Sequence, residues 1–272
     1  MNAQANGLRR ASGRRPDWLV VTGGKGGVGK TVVAANLATL AARSGRKTLL
    51  VDLDSGTANL HVHFRRSPKF TLEDAASSRC SPMQALTVIA PKLAALFGSS
   101  GPSELALGSA ARMHRAYEII DEVAKDFDLV VCDTGSSMNA MVLEAARRAN
   151  VQVAVTGSDP ASVTDTYALL KTLHHAELPA PALVVNNVQS LQEATATATR
   201  LSKTASTFLG HTIDLIGWVR TDRAVRQSII EQRPLCRRNA SGAASDLQAL
   251  FARSVASLSD SNQRPRISPS FV

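Results

Sequence analysis

Eight consecutive residues, Gly24-Lys25-Gly26-Gly27-Val28-Gly29-Lys30-Thr31, carry the densest chemistry in this chain. They fit G-x-x-x-x-G-K-[ST] in full. The run lies between an apolar stretch that reads as a buried strand and a segment with helical apolar spacing, which is the context the motif requires. Glycines let backbone N–H groups turn toward phosphate oxygens, and the start of the following helix adds partial positive charge. Lys30 is placed to reach the β- and γ-phosphates of a nucleotide, and the Thr31 hydroxyl to ligate Mg2+. Asp133 ends the apolar run Leu129-Val130-Val131-Cys132. A carboxylate at such a strand end can hold the water shell of a phosphate-bound metal.

The elements that must position these groups follow from the apolar pattern. Trp18-Leu19-Val20-Val21 predicts the strand before the glycine-rich loop. Residues 30–44 predict a helix closed by Gly45, and Thr48-Leu49-Leu50-Val51 predicts the next strand, ending in Asp52. Later strands are predicted at Leu129–Cys132, Val151–Thr156, Ala182–Val185 and about 212–219, with helices over 103–125, 139–149, 161–175, 190–208 and 223–232. Continuous Val/Leu/Ile runs alternating with amphipathic helices imply an α/β fold: one mostly parallel central sheet covered by helices on both faces. Residues 65–102, rich in Ser and Pro, read as the least regular part. Residues 1–16 read as a flexible basic arm, 17–258 as a single domain whose last part, 242–258, is an amphipathic helix, and 259–272 as a disordered tail.

With 272 residues, 44% of them hydrophobic and 19% charged, the chain can bury a full core. Aromatic residues, at 4%, are too few for a base-stacking single-strand nucleic-acid surface. No apolar run approaches the roughly 20 residues of a membrane span, and the basic N-terminus lacks the apolar stretch of a secretory signal. These features predict a cytoplasmic protein. Cys80, Cys132 and Cys236 are far apart, which argues against a zinc site or a disulfide scaffold. His61 and His63 alternate without a third ligand nearby and read as loop residues. The net charge of +9 suits an acidic partner, whether nucleotide phosphates, an anionic membrane, nucleic acid or an acidic protein.

Lys25 narrows the reading. Lys25-Gly26-Gly27-Val28-Gly29-Lys30-Thr31 resembles the deviant P-loop of the MinD/ParA class of ATPases, which carries an extra lysine at this position. The resemblance implies an ATP-sandwich homodimer in which Lys25 crosses to the partner's nucleotide. Asp52-Leu53-Asp54 through Asn59-Leu60 is similar to the D-x-D-x-G-x-x-N-L stretch of that class. It implies that Asp54 orients the attacking water, with Lys25 and Lys30 as its catalytic companions, and that Asp52 and Asp133 support Mg2+ through water beside Thr31. By the same likeness Asn186, or else Asn187, reads the adenine. His61 stands where MinD has Asp, and Ser136-Ser137 replace the Ala-Gly that usually follows D-T-G. These departures imply slow or partner-dependent hydrolysis.

Within the class the chain resembles the FlhG branch over about residues 18–235. Ser158-Asp159-Pro160 through Thr164-Asp165-Thr166-Tyr167 and Lys171 matches a segment of that branch. In the arm, Gln4, Ala5, Leu8 and Arg9 match its N-terminal activator, with Ala3 in place of Asp. The resemblance implies a switch in flagellar number or placement, with Gln4, Leu8 and Arg9 contacting an FlhF-like GTPase. It also implies flagellar C-ring proteins as partners and peripheral membrane contact through the C-terminal helix. That helix places Leu247, Leu250, Phe251, Val255 and Leu258 on one face, a pattern that equally suits docking on the core. Two alternatives stay open: an ATP-binding adaptor with negligible hydrolysis, and a ParA-like ATPase binding non-specific DNA, which the +9 charge motivates although nucleic acid is the less expected partner. The lack of a cluster-ligating cysteine pair in matching positions argues against a nitrogenase-like electron carrier.

Overall fold

The computed structural model describes residues 15–54, 59–99, 110–237 and 241–261. Eight strands form one sheet: β1 (Asp17–Thr22), β2 (Thr48–Leu53), β3 (Leu86–Ala90), β4 (Leu93–Leu96), β5 (Leu129–Thr134), β6 (Val151–Thr156), β7 (Ala182–Val188) and β8 (Leu215–Arg220). Their order across the sheet is β3-β4-β2-β5-β1-β6-β7-β8. Every pairing is parallel except that of β3 with β4 at one edge. The helices are α1 (Lys30–Arg43), α2 (Leu72–Ala76), α3 (Pro82–Ala85), α4 (Ala110–Ala124), α5 (Ala140–Arg148), α6 (Pro160–His175), α7 (Leu191–Leu209), α8 (Arg223–Ile230) and α9 (Gly242–Ser261).

Strand β1 shows why both faces are covered. Leu19 and Val21 join a core built with α1 and α9, while Trp18 and Val20 join the opposite core, built with α2, α4 and α5. A third cluster from α6 and α7 continues that second face beneath β6 and β7. Alternate side chains of one strand thus enter different cores, and each must be apolar.

Several boundaries are set by caps. Asn139, Asp159 and Ser190 accept the amides of Val142, Ser162 and Glu193 and so begin α5, α6 and α7. Gly45, at φ 98°, follows α1 as expected. The strand expected over 212–219 begins only at Leu215. The helix expected from 103 is described from Ala110, and residues 100–109 lie outside the described chain.

One expectation is corrected. The described part of the stretch expected to be least regular, residues 65–99, holds regular structure: two short helices with capping boxes at Thr71 and Ser81, then the antiparallel pair β3 and β4. β4 reads Leu-Ala-Ala-Leu, with no β-branched residue, so its strand character comes from pairing with β2 and full burial. For α9, of the two readings left open, the core-docked one holds. Leu247, Leu250 and Leu258 are buried in the core against α1 and β8, with Phe251 packed beside them. The apolar stripe that suggested lipid contact is spent on the domain itself. Among the described residues no helix is long and apolar enough to cross a membrane.

Candidate functional site

The sheet order brings the chemistry together. β1, which leads into the glycine loop, lies between β5 and β6, and β2 lies on the far side of β5. The register pairs Asp52 with Asp133 across β2 and β5, and Asp133 with Val21 across β5 and β1. Two carboxylates from distant parts of the chain therefore stand side by side at the mouth of the loop.

The loop runs from the end of β1 to α1, with Gly27 at φ 78° and Gly29 at φ 96°. Helix α1 has no side-chain cap and no acid in its first turn. Its first amides and its positive dipole end are left for an anion. Lys30 is buried, and its Nζ donates to the Lys25 carbonyl at 2.9 Å. Burial lowers the Lys30 pKa, while Asp133 and Asp54 pull it back toward the charged form.

Around Lys30 sit the acids. Asp52 Oδ1 accepts the Asp54 amide at 3.1 Å and its Oδ2 accepts the Leu60 amide at 3.3 Å. Asp133 accepts a hydrogen bond from the Thr31 hydroxyl. Burial, and for Asp133 the adjacent Asp52, raises the pKa of both carboxyls above the usual carboxylate range. Asp54 lies against the start of the next loop: a Cβ added to Gly135 would stand 2.8 Å from its Oδ1, so a larger residue there would displace the Asp54 carboxylate. Residues 55–58 lie outside the described chain.

These groups fit Mg2+ in one particular way. Asp133 Oδ1 is buried without a hydrogen-bond partner, an acceptor placed for a donor that the protein does not supply. Among the described residues no three His, Cys, Asp or Glu side chains gather into a direct metal site. The set therefore suits an ion held by the Thr31 hydroxyl, phosphate oxygens and water, with the carboxylates outside that water.

Other candidates fall in different places. Asn186 Nδ2 donates to the Val28 carbonyl at 2.7 Å and so touches the loop itself. Its carbonyl oxygen stays available as an acceptor. Asn187 is exposed at φ 59°. Lys25 Nζ pairs with Asp159 Oδ1 of its own chain at 3.0 Å, with side chains 37% and 52% exposed. Asp222 caps α8 and also accepts the Ala243 amide at the start of α9. His61 sits edge-on to Phe97, and burial lowers the pKa of His63 in the same turn. Gln4, Leu8 and Arg9 lie outside the described residues.

Sequence reasoning missed what backs the loop. A Cβ on Gly24 would overlap the Asp165 carbonyl, so the loop backbone is pressed onto the second turn of α6. The glycine was legible, but not the helix behind it. The Lys25–Asp159 pair joins residues 134 apart, and no local signal announces it.

A model of the CobQ/CobB/MinD/ParA nucleotide-binding domain matches residues 19–244. The antiactivator FleN of Pseudomonas aeruginosa is 31% identical over 216 residues, which is 79% of this chain and 77% of that one. The flagellum site-determining protein YlxH of Helicobacter pylori is 31% identical over 188 residues, 69% of this chain and 64% of that one. Among solved structures, the septum site-determining protein MinD of Pyrococcus horikoshii, complexed with Mg-ADP, superposes with a TM-score of 0.70. The identity is 21%, with 87% of this chain and 94% of that one covered. From the loop, the register of its acids and these matches, the chain belongs to the CobQ/CobB/MinD/ParA nucleotide-binding domain family.

Proposed function

We propose that the chain is an ATP-hydrolysing dimerisation switch of the MinD type, occupying residues 17–258. The observation that carries this is a division of labour between two lysines. Lys30 is buried in the loop's own cradle, whereas Lys25 stands on the exposed rim, a second cation that one nucleotide does not require. A lysine so placed serves the nucleotide of a second copy.

In this reading the amides of Gly24 through Gly29, with Lys25, Val28, Lys30 and Thr31, hold the phosphates, and the Asn186 carbonyl oxygen accepts from the adenine amine. Thr31, with Asp52 and Asp133 behind water, would hold a nucleotide-bound Mg2+, which would offset the charge that develops on the phosphates. Asp54 orients the attacking water. The water oxygen bonds to the γ-phosphorus as the bond to the bridging oxygen breaks, the water's proton passes to a phosphoryl oxygen, and ADP and dihydrogen phosphate leave. Lys30 and Lys25 stabilise the charge that develops on the phosphoryl oxygens.

The kinship with FleN and YlxH supports a flagellar role, in number or placement, through an FlhF-like GTPase engaged by Gln4, Leu8 and Arg9 and through flagellar C-ring proteins. Hydrolysis is slow until a partner binds, since Ser136-Ser137 replaces a more flexible turn. Lipid contact through α9 would require that helix to leave the core. A second reading is a nucleotide-binding adaptor without turnover. Ser136-Ser137, in place of the Ala-Gly of the related chains, favours it.

Light scattering with ADP, then with ATP and Mg2+, tests the switch on wild type and Lys25→Ala. A dimer formed only with ATP and lost in the variant is the expected result. A wild type that stays monomeric in ATP and Mg2+ overturns the proposal.

A further inference from the structure

Lys25 is not free on the rim. Its amine sits 3.0 Å from Asp159 Oδ1, and Asp159 belongs to a corner that does not move readily. The same carboxylate caps α6 by accepting the Ser162 amide at 3.0 Å and the Ser162 hydroxyl. Ser158 beside it is tied to α7, its carbonyl accepting from Arg200 and its side chain bonded to Glu193. Glu193 in turn accepts the Gln189 amide at 2.7 Å, just beyond the end of β7. On the other side, Gly24 packs its backbone onto α6 at Asp165. Loop, corner and helix form one seat.

We propose that Asp159 is the positioning residue for Lys25: it retains the amine on its own subunit and sets the threshold at which that lysine crosses to a partner's nucleotide. This inference rests on the reading of the chain as an ATP-dependent dimer. Because the corner is anchored through α6 and α7, Asp159 cannot follow the lysine across an interface, so the pair must break. Breaking it is easy by construction. Asp159 keeps both Ser162 donors after Lys25 leaves, so no buried charge is orphaned, and both partners are already half in water. The donors from Ser162 and then Lys25 hold the Asp159 carboxyl well below the usual carboxylate range, so the latch stays charged at any physiological pH. Phosphate oxygens of a second nucleotide carry more charge than one carboxylate and outcompete it. An ADP-bound partner has no γ-phosphate to offer, which ties release of the latch to ATP.

The test compares wild type with Asp159→Asn, which keeps an N-capping side chain but removes the charge. Dimer dissociation constants are measured by sedimentation with ATP and Mg2+, and the rate of Lys25 acylation is measured by mass spectrometry on the ADP-bound monomer. Each dimer breaks two exposed ion pairs, so the variant should dimerise with a dissociation constant roughly 2- to 30-fold lower. Its Lys25 should be acylated several-fold faster, which a purely structural role for Asp159 would not produce. Melting of the two monomers checks that α6 is intact. If Asp159→Asn dimerises no more readily than wild type and its Lys25 reacts at the same rate, the inference falls alone. If wild type fails to dimerise in ATP, the switch reading falls and takes the inference with it.

Discussion

Asp54 and Lys30 illustrate how one residue's surroundings decide what its loss would do. Asp54 lies beside Gly135 at the site's edge, while the amide and register contacts that build the pocket belong to Asp52 and Asp133. Asp54→Asn should therefore leave ATP affinity within about threefold of wild type, lower turnover by at least 100-fold and lengthen dimer lifetime. Calorimetric titration, phosphate release and light scattering check these outcomes, and a variant that no longer binds ATP would remove Asp54 from the water-orienting role. Lys30 and Thr31 were legible from the motif because the glycine loop and helix start are local structure. Asp133 was legible only as a strand-end acid. Its unpaired Oδ1 and its bond from Thr31 exist only once β5 lies beside β1.

At the scale of elements, α9 and α8 depend on contacts that a helical wheel cannot assign. The stripe of α9 was plain in the sequence, yet the same stripe serves a core or a membrane. Gly217 of β8 settles the matter: with no side chain there, Leu250 packs onto the strand, and a Cβ would stand 3.0 Å from Leu250 Cδ1. Leu250→Ala should destabilise the protein by about 2–5 kcal/mol in urea unfolding, whereas a free lipid anchor would lose little. Asp222 joins α8 to α9 by accepting the Ala224 amide at 2.8 Å and the Ala243 amide at 3.1 Å, which together hold its pKa below the usual carboxylate value. A depressed folded-state pKa means stability that is present above the unfolded value and lost as pH falls through the folded one. Asp222→Ala should cost about 0.5–2 kcal/mol near neutrality. The deficit should shrink in melts below about pH 4, where wild type loses its charged acceptor.

For the molecule as a whole, the sheet concentrates acids that the protein's own cations do not neutralise. Asp52 and Asp133 are buried side by side; burial raises the pKa of both, Asp52 raises that of Asp133 further, and Lys30 is the one buried cation among the described residues beside them. A divalent ion arriving with the nucleotide removes that repulsion. Thermal melts should show ATP with Mg2+ stabilising the protein more than ATP with a chelator. The gain should be about 2.7 kcal/mol when free ligand is 100 times its dissociation constant. Equal protection with and without Mg2+ would detach the two carboxylates from metal binding. The net charge of +9 bears on partners outside this pocket, and the apolar stripe of α9 is buried in the core.

What the sequence determined by itself was whatever is local or periodic. The phosphate loop, the strands around it, most helix limits and the class of fold depend on glycine placement, capping residues and apolar spacing, all fixed within a few residues of one another. The tertiary structure decided which distant groups meet. It paired Asp52 with Asp133, seated Gly24 on α6, gave Asn186 to the Val28 carbonyl and Lys25 to Asp159, and turned a Ser- and Pro-rich stretch into a β3–β4 edge. Each of those contacts depends on strand order and register, and long-range pairing of strands leaves no periodic trace in the residues it brings together.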